Sequence, residues 1–226
     1  MDKRIMAVLI LSIIFLAAAF IGGDPPSARG FDYVIWLAFI WLLWKRRALL
    51  ETWFQSQTLP DFFLFVGLGL IMVIIEETIA GIAVHLLSVK SPTELPVLVA
   101  QYYANNLLLL PGFIIAWYIL LNRYEYSRTE VFTLVGLFGL FSEKIYIHVL
   151  TIPIMGIALL LPTMFTYIGI ILPSVLSLPA QDARRHRNVI RYFTGLVFPI
   201  IMSMPFVFIH TLLTNSGWLD PTILTR

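Results

Sequence analysis

Residues 62–88, FFLFVGLGLIMVIIEETIAGIAVHLLS, decide the fold. The run exceeds the ~20 residues that one helix needs to cross the hydrocarbon of a bilayer. Its only charged side chains, Glu76 and Glu77, fall at its middle. Backbone N–H and C=O groups have no water to bond in lipid, so such a segment must be helical.

Comparable apolar stretches lie on both sides, near 5–23, 33–50, 97–121, 130–150, 153–179 and 191–213. With the first stretch they predict about seven transmembrane helices in one integral membrane domain, residues 1–226, an all-α polytopic bundle. The whole composition agrees: 59% of the 226 residues are hydrophobic and 12% charged, half the ~25% charged of a soluble domain. Without cysteine, the chain has no disulfide, thiolate metal site or cysteine nucleophile. Pro111, Pro162, Pro173 and Pro199 stand inside predicted spans, where each removes a backbone bond and kinks its helix. Gly67, Gly69, Gly81, Gly136 and Gly139 read as close-packing positions between helices. Trp36, Trp41, Trp44, Tyr102 and Tyr103 read as lipid-facing or interfacial.

Lysine and arginine set the orientation. With the N-terminus inside, Lys3, Arg4, Lys45, Arg46, Arg47, Arg123, Arg128, Arg184, Arg185, Arg187 and Arg191 are internal; Arg29, Lys90 and Arg226 are external. The expectation is N-in and C-out, in a plasma membrane of prokaryotic type. The stretch 1–23 has the layout of a signal peptide, but its apolar run is long enough to span, so a retained helix is expected. The tract Arg184-Arg185-His186-Arg187 serves as a topology signal, with contact to anionic headgroups as the alternative.

Charges inside spans are the informative anomaly, because each costs about 2.5–3.5 kcal/mol at a helix centre on insertion scales. Glu76, Glu77, Glu143 and Lys144 are such charges; His85, His148, His210, Asn105 and Asn106 add polar groups. At a rise of about 1.5 Å per residue, Glu143 lies about 18 Å from the inner edge, and His148 and His210 about 25–28 Å from it. Two layers result, carboxyls and amides at mid-membrane and imidazoles above. Glu76 and Glu77 point about 100° apart, so one alone faces a narrow site squarely. Lys144 and His148 share a face at i,i+4, while Glu143 points toward Glu76 or Glu77 across the bundle.

No phosphate loop, dinucleotide glycine pattern, Gly-x-Ser-x-Gly or His-Glu-x-x-His is present. The inventory of two or three histidines with a nearby Glu matches a zinc-type hydrolase, in which metal and carboxylate together activate water. Glu76-Glu77, a histidine on a later helix and His210 near Asn215 resemble the CAAX-protease and PrsW-like superfamily of glutamate intramembrane proteases. That family carries a basic residue four or five positions after the first Glu, and Asn or Asp four residues after the last His. Here those positions hold Ala80 or Gly81, and Asn215 is five residues after His210. The resemblance covers the third to seventh helices. It implies that Glu76 or Glu77 activates water while His148 and His210 bind a divalent metal such as zinc, or the oxyanion. The substrate would be a membrane peptide or lipid-like molecule.

Two other classes stand beside the hydrolase. Intramembrane carboxyls with Lys and His also build proton relays and cation sites in transporters or channels. A non-catalytic assembly subunit would use its polar groups to join partner helices. The partner common to all three is the lipid bilayer; nothing in the chain points to nucleic acid.

Overall fold

A computed structural model describes residues 31–85, 93–151, 153–178 and 189–219, with positions 10, 13, 14 and 17 ahead of them. Most of the first predicted span, the loop 22–30 and the basic tract 184–187 lie outside the described residues. The bounded elements are helices: α1 Phe31–Lys45, α2 Arg47–Gln55, α3 Asp61–His85, α4 Glu94–Leu107, α5 Pro111–Arg123, α6 Arg128–Ser142, α7 Ile145–Thr151, α8 Pro153–Ser177 and α9 Ile190–Asn215.

Local chemistry sets the boundaries. Lys45, Arg46 and Arg47 end α1, and the chain turns at Arg46 into the short α2. Asp61 stands in the first turn of α3, where a carboxylate suits the positive end of the helix dipole. The α6 start is a capping box: Glu130 N donates to Ser127 Oγ at 3.2 Å, and Ser127 N donates to Glu130 Oε2 at 2.7 Å. Pro162 and Pro173 lie within α8 and Pro199 and Pro205 within α9. The Thr166 hydroxyl donates to Pro162 O, and the Ser203 hydroxyl to Pro199 O.

Two predicted spans are broken. The 97–121 stretch divides into α4 and α5 around Leu108–Leu110, and Pro111 takes the first position of α5 rather than a helix interior. The 130–150 stretch divides into α6 and α7, bent by 65°. Lys144 makes that bend, with φ at 55° in the left-handed region where non-glycine residues are uncommon. Among the described residues Asp61–Ala83, Gly156–Ser177 and Ile190–Asn215 are long and apolar enough to cross a membrane, and counting the bent α6–α7 pair as one span makes up to four.

Helix α8 is the hub, touching α1, α2, α3, α6 and α7, while α9 packs on α5 and α6 at the edge. The Ser174 hydroxyl donates to Phe65 O at 2.7 Å, tying α8 to α3. Phe113 of α5 stacks on Phe138 of α6 at 4.6 Å, with Tyr167 of α8 edge-on to both. Glycine permits the closest approaches. A Cβ on Gly112 would strike the Met202 carbonyl of α9, and one on Gly156 would strike the backbone of Val149 in α7. The expected packing role holds for Gly69, Gly136 and Gly139, which meet Ile114, Met164 and Tyr167. It fails for Gly67, which faces open space. Trp41 and Trp44 are exposed as expected, but Trp36 is buried, and its indole N–H donates to Thr166 O at 3.4 Å. Tyr103 is half-buried and bonds the Thr78 hydroxyl of α3. Outside the core, Phe63, Leu150, Phe193 and Phe208 present bare apolar surface, which lipid accepts and water penalises.

One end of the bundle is stitched by ionic contacts. Arg128 pairs with Glu51, linking α6 to α2, and Gln55 donates to Leu178 O just beyond α8. Arg191 of α9 is buried and pairs with Glu130 of α6 at 2.5 Å, while the Tyr126 hydroxyl donates to Arg191 O.

Candidate functional site

Helix α3 carries Glu76 and Glu77 roughly 23 Å from its Asp61 end, well inside the bundle. There they line a cavity of about 250 Å³. Asp32 from the first turn of α1 and Glu143 from the end of α6 line it too, so three segments bring four carboxyl groups to one space. Tyr33, Asn106, Thr163, Thr166 and Tyr167 also bring polar groups to its wall. At about 30 Å³ per molecule in the liquid, the space holds several waters.

Each of two glutamates has a dedicated donor. Asn106 Nδ2 of α4 donates to Glu77 Oε2 at 2.7 Å. Tyr167 Oη of α8 donates to Glu143 Oε1 at 2.8 Å and lies 3.1 Å from Ser142 Oγ. The Tyr167 ring reaches that position because Gly139, one turn before Glu143, has no Cβ to block it. Glu76 and Glu77 both line the cavity although they point about 100° apart on the helix.

A second, larger cleft of about 710 Å³ adjoins the first and shares Glu77, Asn106, Leu110, Glu143 and Tyr167 with it. Glu77, not Glu76, stands at the junction. The remaining wall is mostly apolar and comes from α6, α9 and Leu109 of the α4–α5 break. No lysine, arginine or histidine among the described residues lines either space. Both helix breaks border them: Asn106 and Leu110 flank the α4–α5 break, and Glu143 begins the α6–α7 break. Backbone carbonyls at such ends lack intrahelical partners and are open to a ligand.

The histidines lie elsewhere. His148 is half-buried on α7 and His210 half-buried on α9, and neither lines a cavity. The stacked layers expected for them assume straight helices; the 65° bend redirects α7, and His210 sits about 100° round α9 from the cleft-lining Thr211. Lys144 is exposed in the bend and does not continue one helix with His148, and Asn215 is exposed at the end of α9. The side chains of His85 and Asn105 lie outside the described residues. Among the described residues no three His, Asp or Glu side chains are grouped to hold a metal ion, so the zinc-type centre has no ligand set there.

Asp32, Tyr33, Thr163 and Tyr167 were not singled out by sequence. Asp32 passes for a boundary residue at the head of a span, and its place directly before Tyr33 in an apolar run was the available signal. Comparison of the chain with models of protein families, with curated proteins and with solved structures finds no match.

Proposed function

We propose that this chain is a multi-pass membrane protein, N-terminus inside, that exchanges protons for a cation at the acidic cavity, as a proton-coupled transporter does. The observation that carries this reading is the gathering of Asp32, Glu76, Glu77 and Glu143 around one space that no cationic side chain among the described residues lines. Glu77 is buried and Glu76 half-buried, and a carboxylate partly withdrawn from bulk water is costly unless paired. The described wall brings no cationic side chain to Glu76, Glu77 and Glu143, so protons or a cation from outside would balance them. Occupancy by one then depends on release of the other. Discontinuous helices beside such a site are a recurring arrangement in secondary transporters, and both breaks border this one.

Seven crossings with the N-terminus inside fit the stitched end of the bundle. The contacts of Glu51, Gln55, Arg128 and Arg191 group the ends of α1–α2, α6, α8 and α9 that carry most of the basic residues. That grouping supports an inner face under the positive-inside rule.

Hydrolysis is the second reading, favoured by the position of Glu77 and Glu143 between a wet chamber and a cleft of substrate size. Paired carboxyls can activate water. An acyl oxyanion would need donors; the Tyr167 hydroxyl already donates to Glu143 and one Asn106 N–H to Glu77, which leaves the second Asn106 N–H and the Thr163 hydroxyl for that role.

Proteoliposomes with a trapped pH-sensitive dye test the first reading. Proton flux is expected, reduced about tenfold or more in Glu77→Gln and in Glu143→Gln. Full flux in both variants rejects it. Cleavage of a membrane-embedded peptide that is lost in Glu77→Gln would select the second.

A further inference from the structure

We infer that the cation is the head of an amphiphile, a protonated amine carrying an apolar chain; the inference rests on the proton–cation reading above. The two spaces form one continuous site of opposite characters. The chamber is walled by carboxyls, and the cleft that leads from it by Phe138 and Phe141 of α6 and Ile200, Met204, Val207 and Phe208 of α9. Phe141, Ile200, Met204, Val207 and Phe208 are exposed, so the cleft opens through the side of the bundle, where lipid would stand. At about 710 Å³ it falls within the ~300–1,000 Å³ of ligand pockets.

Charge complementarity selects the head group. Glu77 and Glu143 stand where the cleft meets the chamber, and an ammonium has three N–H donors and no acceptor. A second observation points the same way. The Thr163 hydroxyl, 1% exposed, lines the chamber, and among the described residues its oxygen meets no partner in hydrogen-bonding geometry. A buried hydroxyl left this way is costly, and an incoming N–H would satisfy it. Trp36, Tyr33 and Tyr167 also line the chamber, and aromatic rings attract cations. A fatty acid or phosphate monoester would bring its charge against these carboxyls, and a neutral alcohol would bring no positive charge to Glu77 and Glu143. A free small amine would leave the apolar cleft unused.

The test is retention of added probe by the purified protein in native mass spectrometry, with dodecylamine, propylamine and 1-dodecanol at equal concentration. Dodecylamine is expected to be retained about tenfold more than either of the others. Glu77→Gln and Val207→Trp should each remove that preference, the first by losing the head contact and the second by filling the cleft. Ile71→Trp, at an exposed α3 position outside both spaces, should keep it; circular dichroism verifies that each variant is folded. Equal retention of dodecanol and dodecylamine would overturn the proposal in favour of a plain lipid-tail groove, and equal retention of propylamine would reduce it to a small-amine site. Glutamate-dependent proton flux without any head-and-tail preference would defeat the amphiphile alone. Absence of both would defeat the transport reading as well.

Discussion

Asn106 Nδ2 donates to Glu77 Oε2 at 2.7 Å, joining the last turn of α4 to the middle of α3 at the junction of the two cavities. This contact gives a buried carboxyl of the site a fixed direction, and it depends on α4 ending where it does.

Asn106→Leu removes that donor and leaves the Glu77 carboxyl short of a partner. A loss of roughly 1–3 kcal/mol is expected, read from denaturation of the purified protein in detergent. Combining it with Glu77→Leu should restore part of the stability, because both polar groups are then gone. A double variant equal to the sum of the singles would show that the two residues do not interact.

Gly139→Ala tests how Tyr167 is seated. The added methyl would meet the Tyr167 ring, an overpacking that typically costs about 1–3 kcal/mol, and it should shift the hydroxyl away from Glu143. Tyr167→Phe removes only the hydrogen bond and should cost about 0.5–1.5 kcal/mol. Thermal melts that rank the two in the opposite order would contradict the packing described for α6 and α8.

The bend at Lys144 predicts an unusual tolerance. Its φ of 55° is one that glycine adopts freely. Lys144→Gly should gain up to about 1 kcal/mol and leave the proposed proton flux intact, while Lys144→Val should lose a similar amount or more. Loss of flux in the glycine variant, with stability unchanged, would show that the ammonium itself takes part.

Tyr126 predicts a pH dependence at the stitched end. Burial pushes its phenol up from the ordinary value, so the hydroxyl keeps the proton that it donates to Arg191 O. A group whose pKa is raised on folding contributes stability that is complete below its unfolded value and is lost as pH rises through the folded one. Stability should therefore fall as pH climbs beyond about 10, and Tyr126→Phe should flatten that fall. Parallel profiles for the two proteins would argue against a protonated donor there.

Legibility in the sequence followed hydropathy. The long apolar runs of α3, α8 and α9 could be read directly, because no soluble packing tolerates them. Glu76, Glu77 and Glu143 stood out because a charge in such a run needs a reason, and they meet across the bundle. The helix breaks were illegible for the same cause. Leu108, Leu109 and Leu110 are as apolar as the helices they separate, and a left-handed residue such as Lys144 carries no mark in hydropathy.

The amino-acid sequence alone determined that the chain is helical and suited to lipid, since backbone satisfaction in an apolar medium depends on composition and run length. It also determined which carboxyls are anomalous. Only the tertiary structure decided that Asp32 and Tyr167 join them and that His148 and His210 do not. That choice depends on where helices stop, bend and rotate, and the packing of side chains from distant helices, rather than any local preference, sets those angles.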